Sequence, residues 1–72
     1  MYLRRAGKFV YINPENAEDS IKIESKVTEI VKSGYQVHMR RWGSLQITDP
    51  ALKFAWEAED MLLDIKRILG VA

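Results

Sequence analysis

Two stretches of this chain are punctuated in the same way. Asn13-Pro14 precedes an apolar stretch that stops at Gly34, and Asp49-Pro50 precedes another that stops at Gly70, so that Pro14 to Gly34 and Pro50 to Gly70 each span 20 positions. An Asn or Asp side chain can cap a helix, and a proline directly after it sits in the first helical turn, where its missing N–H costs nothing. A glycine after the last periodic residue stops a helix. The pattern therefore predicts two helices. In the first, Ile23, Val27, Ile30 and Val31 form the apolar stripe, Ile21 lies off it, and Glu15, Glu18 and Asp19 stand at the positive end of the dipole. In the second, the stripe runs through Phe54, Ala55, Ala58, Met61, Leu62, Ile65, Ile68 and Leu69.

Each predicted helix follows a hairpin. Residues 2–12 read as two short strands turned at Arg5-Ala6-Gly7-Lys8, where Gly7 can supply the positive φ of a tight turn. Residues 35–41 alternate, with Val37 and Met39 against Gln36, His38 and Arg40. Arg41-Trp42-Gly43-Ser44 turns the chain, and Leu45 and Ile47 then alternate with Gln46 and Thr48. The expected fold is a small α+β domain in the order ββαββα, with an antiparallel or mixed four-stranded sheet and both helices on one face. Residues 1–72 form one domain, because a chain this short has room for one core. Identity between the two halves is poor, and shared capping explains their likeness as well as duplication would.

Charge is segregated by element. The first hairpin carries Arg4, Arg5 and Lys8 and the second carries His38, Arg40 and Arg41, with no carboxylate in either. In the first helical segment Glu15, Glu18, Asp19, Glu24 and Glu29 outnumber Lys22, Lys26 and Lys32. In the second, Asp49, Glu57, Glu59, Asp60 and Asp64 outnumber Lys53, Lys66 and Arg67. The formal net charge of +1 thus conceals a basic sheet and acidic helices.

Turning Leu3, Val10, Ile12, Val37, Met39, Leu45 and Ile47 toward the helices points Tyr2, Arg4, Phe9, Tyr11, Gln36, His38, Arg40 and Gln46 to the other face. Rings on an open sheet are stacking platforms for bases, and arginines neutralise phosphates or stack themselves. The expected activity is nucleic-acid binding, of DNA or RNA, through Arg4, Phe9, Tyr11, His38, Arg40, Arg41 and Trp42. Single strands fit such a face best. A basic ribbon tipped by Arg40, Arg41 and Trp42 could instead enter the major groove of a duplex. The opposite face assignment, with Phe9 and Tyr11 in the core and the strand cations as edge protection, is open at this point.

A second surface lies on the last helix. Leu52, Trp56 and Leu63 fall between its apolar and polar stripes and have no obvious neighbour within a two-helix layer. Such a patch usually marks a partner. The alternative function is therefore a protein interface, either a symmetric homodimer or a small inhibitor or adaptor of another protein.

Enzyme chemistry finds no foothold in the sequence. His38 is the only histidine and no cysteine is present, so no thiolate metal site or disulfide framework is expected. Gly7, Gly34, Gly43 and Gly70 lie at turns and helix ends without phosphate-loop spacing. Glu57, Glu59, Asp60 and Asp64 read as a solvated face. Neither catalysis nor a cofactor is expected. The cysteine-free composition fits the reducing cytoplasm, and no stretch is apolar enough for a leader or a membrane span.

Overall fold

The alternation over residues 2–12 becomes two strands, β1 (Tyr2–Ala6) and β2 (Phe9–Asn13), in the computed structural model, which describes residues 1–71. Gly7, at φ 60°, and Lys8 form the turn that Ala6 and Phe9 close as a pair. A positive φ at the first of two turn residues suits the twist of a hairpin and favours glycine there. Then follow α1 (Ala17–Lys32), β3 (Gln36–Met39), a turn at Arg41–Gly43, β4 (Leu45–Thr48), a 3-10 turn at Ala55–Glu57 and α2 (Ala58–Leu69). The order is ββαββα, as the punctuation predicts.

The sheet is antiparallel throughout, in the order β1-β2-β4-β3. Its two central strands supply Val10, Ile12, Leu45 and Ile47, all buried and all of one side-chain parity, so one face alone is covered. Ile23 and Ile30 of α1 and Ala58, Met61, Ile65 and Leu69 of α2 complete the buried core. Burying one such aliphatic side chain contributes about 1.5–3 kcal/mol. The helix ends at Gly34 and Gly70 fall where the sequence puts them.

The helix starts do not. Asn16, not Asn13, caps α1: its Oδ1 accepts the Asp19 N–H at 2.9 Å, and the Asp19 carboxylate accepts the Glu15 N–H at 2.9 Å. Together the two side chains satisfy donors that the first turn leaves free. Asn13 is engaged elsewhere, its Oδ1 accepting the Ser44 hydroxyl at 2.9 Å from across the sheet. The second Asp-Pro pair opens a turn, not a helix. Asp49 O accepts the Leu52 N–H at 3.0 Å and Asp49 Oδ1 accepts the Ala51 N–H at 2.9 Å, with Pro50 at the turn position that its fixed φ suits. Phe54 is still extended, at φ −125° and ψ 144°, and α2 is a 12-residue helix.

That late start moves Phe54 out of the expected core stripe and leaves it 57% exposed. Val31 and Met39 are also exposed where the pattern puts them inward. Met39 does lie on the covered side, paired with Leu45, but near the end of the edge strand β3.

Two polar tethers hold the helices. The Met1 amino group lies 2.6 Å from Asp19 Oδ2 and 2.8 Å from Glu15 Oε1. Its hydrogen bond to Asp19, reinforced by Glu15, raises its pKa, and the same contact, with the Glu15 N–H, holds Asp19 below the usual carboxylate range. Tyr35, between α1 and β3, donates its hydroxyl to Asp64 Oδ2 of α2 at 2.5 Å. No helix among the described residues is long and apolar enough to cross a membrane.

Candidate nucleic-acid interface

Strand parity fixes what the uncovered face presents. Arg4 pairs with Tyr11, Tyr11 with Gln46 and Gln46 with His38, so one row crosses all four strands. At about 4.8 Å per strand the row is roughly 14 Å long. On one side of it stand Ala6, Phe9, Thr48 and Gln36, and on the other the cross-strand pair Tyr2 and Asn13. No strand contributes a carboxylate. Phe9 is 38% exposed and Tyr2 56%, while Val10 and Ile12 are wholly buried, which places the rings on the open face and the aliphatic residues in the core.

The arginines on this face differ in their surroundings. The guanidinium of Arg4 lies 5.0 Å from the centre of the Tyr11 ring and that of Arg40 5.4 Å from it, both within cation–π range. Tyr11 is half-buried under them, and Gln46 Nε2 reaches its hydroxyl at 3.5 Å. Tyr11 is therefore a mount that holds two cations over the middle of the sheet more than a bare platform. Phe9 lies 6.3 Å from it, tilted by 43°, and keeps the more open ring. Neither Arg4, Lys8, Arg40 nor Arg41 forms an ion pair among the described residues. Arg5 is different. It points to the covered side at the sheet edge, where its Nε meets Glu59 Oε1 at 2.6 Å and its Nη1 donates to Gly7 O and Ala55 O. The first hairpin thus offers Arg4 and Lys8 outward and spends Arg5 on the fold.

Comparison with protein-family models, curated proteins and solved structures finds no match. The face is read from its own residues.

Two hollows flank the Tyr11 mount. One, of about 590 Å³, is bounded by Phe9, Gln36, His38, Gln46 and Thr48 on the open face and extends around the β3 edge to Tyr35 and Val31. The other, of about 400 Å³, lies between the second hairpin tip and the end of β2 and is lined by Asn13, Arg40, Arg41, Trp42 and Ser44. Trp42 is 90% exposed and has φ 63° and ψ 24°, the left-handed region that non-glycine residues seldom adopt. Gly43 follows at φ 77°, and a Cβ there would lie 3.4 Å from Ser20 Oγ. The tip is packed closely against the start of α1, which fixes where Trp42 stands.

Structure and sequence agree on the members of this face, but Asn13 and Ser44 enter it unforeseen. Asn13 reads as a helix cap in the sequence, and only the pairing of β2 with β4 brings it beside Ser44. Among the described residues no cluster of three metal-ligating side chains forms. Asp64, one of the helix acids, is occupied by the Tyr35 hydroxyl and by Arg67 Nη1 at 3.4 Å.

The second surface has changed membership. Trp56 is 67% and Leu63 58% exposed, whereas Leu52 is half-buried against the core, in the turn before α2. Phe54 joins Trp56 instead. Their rings stack with centres 6.2 Å apart and planes 10° from parallel.

Proposed function

We propose that this chain binds nucleic acid on its open sheet face, without catalysis. The observation that carries the reading is the row Arg4–Tyr11–Gln46–His38, flanked by Phe9 and Arg40, on a face to which no strand contributes a carboxylate. Unpaired guanidiniums are free to meet phosphates, and exposed rings beside them are free to meet bases. Arg4, Arg40, Arg41 and Lys8 would hold the backbone, Phe9 and Trp42 would stack, Tyr11 would position the two central arginines, and His38 would hydrogen-bond at the far edge. A face about 14 Å across has room for two or three stacked nucleotides, the number that open four-stranded sheets commonly take. Single strands suit it better than a duplex, whose bases are already stacked. The cytoplasm is the setting we propose, supported only by a cysteine-free sequence.

Fluorescence anisotropy with labelled single- and double-stranded oligonucleotides tests this. Binding should weaken with salt at a slope of about −0.7 per phosphate contact, so near −3 if all four cations engage. Arg40→Ala should reduce both the affinity and the slope. If no oligonucleotide binds at low salt, the reading is wrong.

A second reading is favoured by the stacked Phe54–Trp56 pair and the exposed Leu63: self-association, or capture of another protein, through α2 and the turn before it. Exposed rings that stack on each other bury part of their area and leave their outer faces for a partner. Light scattering decides the homodimer version. If the wild type and Trp56→Ala are both monomers, self-association is removed.

A further inference from the structure

We propose that the hollow at the Trp42 end of the open face is a pocket for one base and that it selects guanine over adenine. The inference rests on the nucleic-acid reading above and adds to it the chemistry of the base.

The polar lining of the hollow is richer in donors than in acceptors. Arg40 and Arg41 carry only N–H groups toward a ligand. Asn13 Oδ1 accepts the Ser44 hydroxyl at 2.9 Å and keeps one lone pair, while its Nδ2 carries two donors. The Ser44 hydroxyl donates to Asn13, so toward a ligand it offers lone pairs. At about 400 Å³ the hollow is at the small end of ligand sites and suits one ring system, not several.

Its wall is Trp42. A left-handed φ on a side chain 90% exposed gives the fold little return, because the ring buries almost nothing. Strain of that kind is held where the surrounding structure over-determines it, here by Gly43 against Ser20 and Pro14, and it clusters at ligand contacts. An indole at the mouth of a donor-rich hollow is a stacking surface for whatever base enters. Tyr2, cross-strand from Asn13 and 56% exposed, offers a second ring at the same end.

A donor-rich pocket prefers a base edge made of acceptors. Guanine presents O6 and N7, both acceptors, whereas adenine presents N7 beside the N6 amino donor. Adenine would set its amino group against Asn13 Nδ2 and the guanidiniums and leave donors unpaired on both sides. Phosphate binding alone would not distinguish the two bases.

The test uses a short labelled oligothymidine carrying one central guanine or one central adenine, with anisotropy read at about 50 mM salt. Wild-type protein should bind the guanine strand about tenfold more tightly. Asn13→Asp, which replaces the donors with acceptors, should narrow or reverse that ratio. Trp42→Gly, which keeps the left-handed backbone and so is safe for folding, should weaken the guanine strand about tenfold and bring the two strands level. Equal wild-type affinity for the two strands would overturn the pocket while leaving nucleic-acid binding intact. So would an undiminished guanine preference in Trp42→Gly. If plain oligothymidine and both substituted strands all fail to bind, the broader reading falls as well.

Discussion

Trp42 and Gly43 are neighbours with the same left-handed backbone, and substitution should act on them in opposite directions. Gly43→Ala puts a Cβ where φ is 77° and 3.4 Å from Ser20 Oγ, so it should cost about 1 kcal/mol. Trp42→Gly relieves a conformation that an L side chain resists and removes a ring that is almost wholly in water, so it should stabilise by about 0.5–1 kcal/mol. Denaturant midpoints measure both. A loss at Trp42 comparable to that at Gly43 would mean that the indole makes contacts on which the fold depends. Much of this region is legible at the residue level: Arg4, Phe9, Tyr11, His38, Arg40 and Arg41 follow from alternation and charge alone. The pairing of Asn13 with Ser44 is not legible, because the two are brought together by strand register and have no spacing that would mark them.

Among the elements, one side-chain hydrogen bond ties the residue before β3 to α2. Tyr35 donates to Asp64 from a half-buried position, and burial, then the hydrogen bond and charge of Asp64, push the phenol well above its ordinary value of 10.0. A group whose folded pKa is raised gives its full stabilisation below the unfolded pKa and loses it as pH climbs toward the folded value. Tyr35→Phe should therefore cost about 1–2 kcal/mol at neutral pH. The gap between wild type and variant should stay constant up to about pH 10 and close above it. Chemical denaturation of both proteins across that range measures the gap; one that widens with alkali would contradict the assignment. The same scale shows why helix ends are read correctly and helix starts are not. Gly34 and Gly70 have few alternatives to a stop, whereas Asn-Pro and Asp-Pro serve equally to open a helix or to make a turn. Which of these occurs depends on competing partners: Ser44 claims Asn13, and the Asp49 side chain closes on Ala51.

Over the whole molecule, the buried core lies on one side of the sheet and the proposed binding face on the other. The covered side holds Ile65, wholly buried among strand and helix residues. Ile65→Ala should cost about 2–5 kcal/mol, as much as a domain of this size usually has in reserve. Far-UV circular dichroism should show it largely unfolded under conditions where Trp56→Ala, at a 67% exposed site, melts within about 0.5 kcal/mol of wild type. A fully folded Ile65→Ala would place the core elsewhere. On the open side, exposed residues such as Arg4 and His38 carry no such burial.

By itself the sequence determined the order of elements and the separation of basic hairpins from acidic helices, because these depend on periodicity, turn residues and composition, all local, whereas the burial of Val10 and Ile12 and the exposure of Phe9 came from the packed fold. Only the tertiary structure decided that β2 lies between β1 and β4, that Arg5 is spent on Glu59 while Arg4 and Arg40 share Tyr11, and that Phe54 joins Trp56 in solvent. Each of those outcomes depends on register between segments distant in the chain. Register is set by the fit of whole faces, and no short stretch of residues contains it.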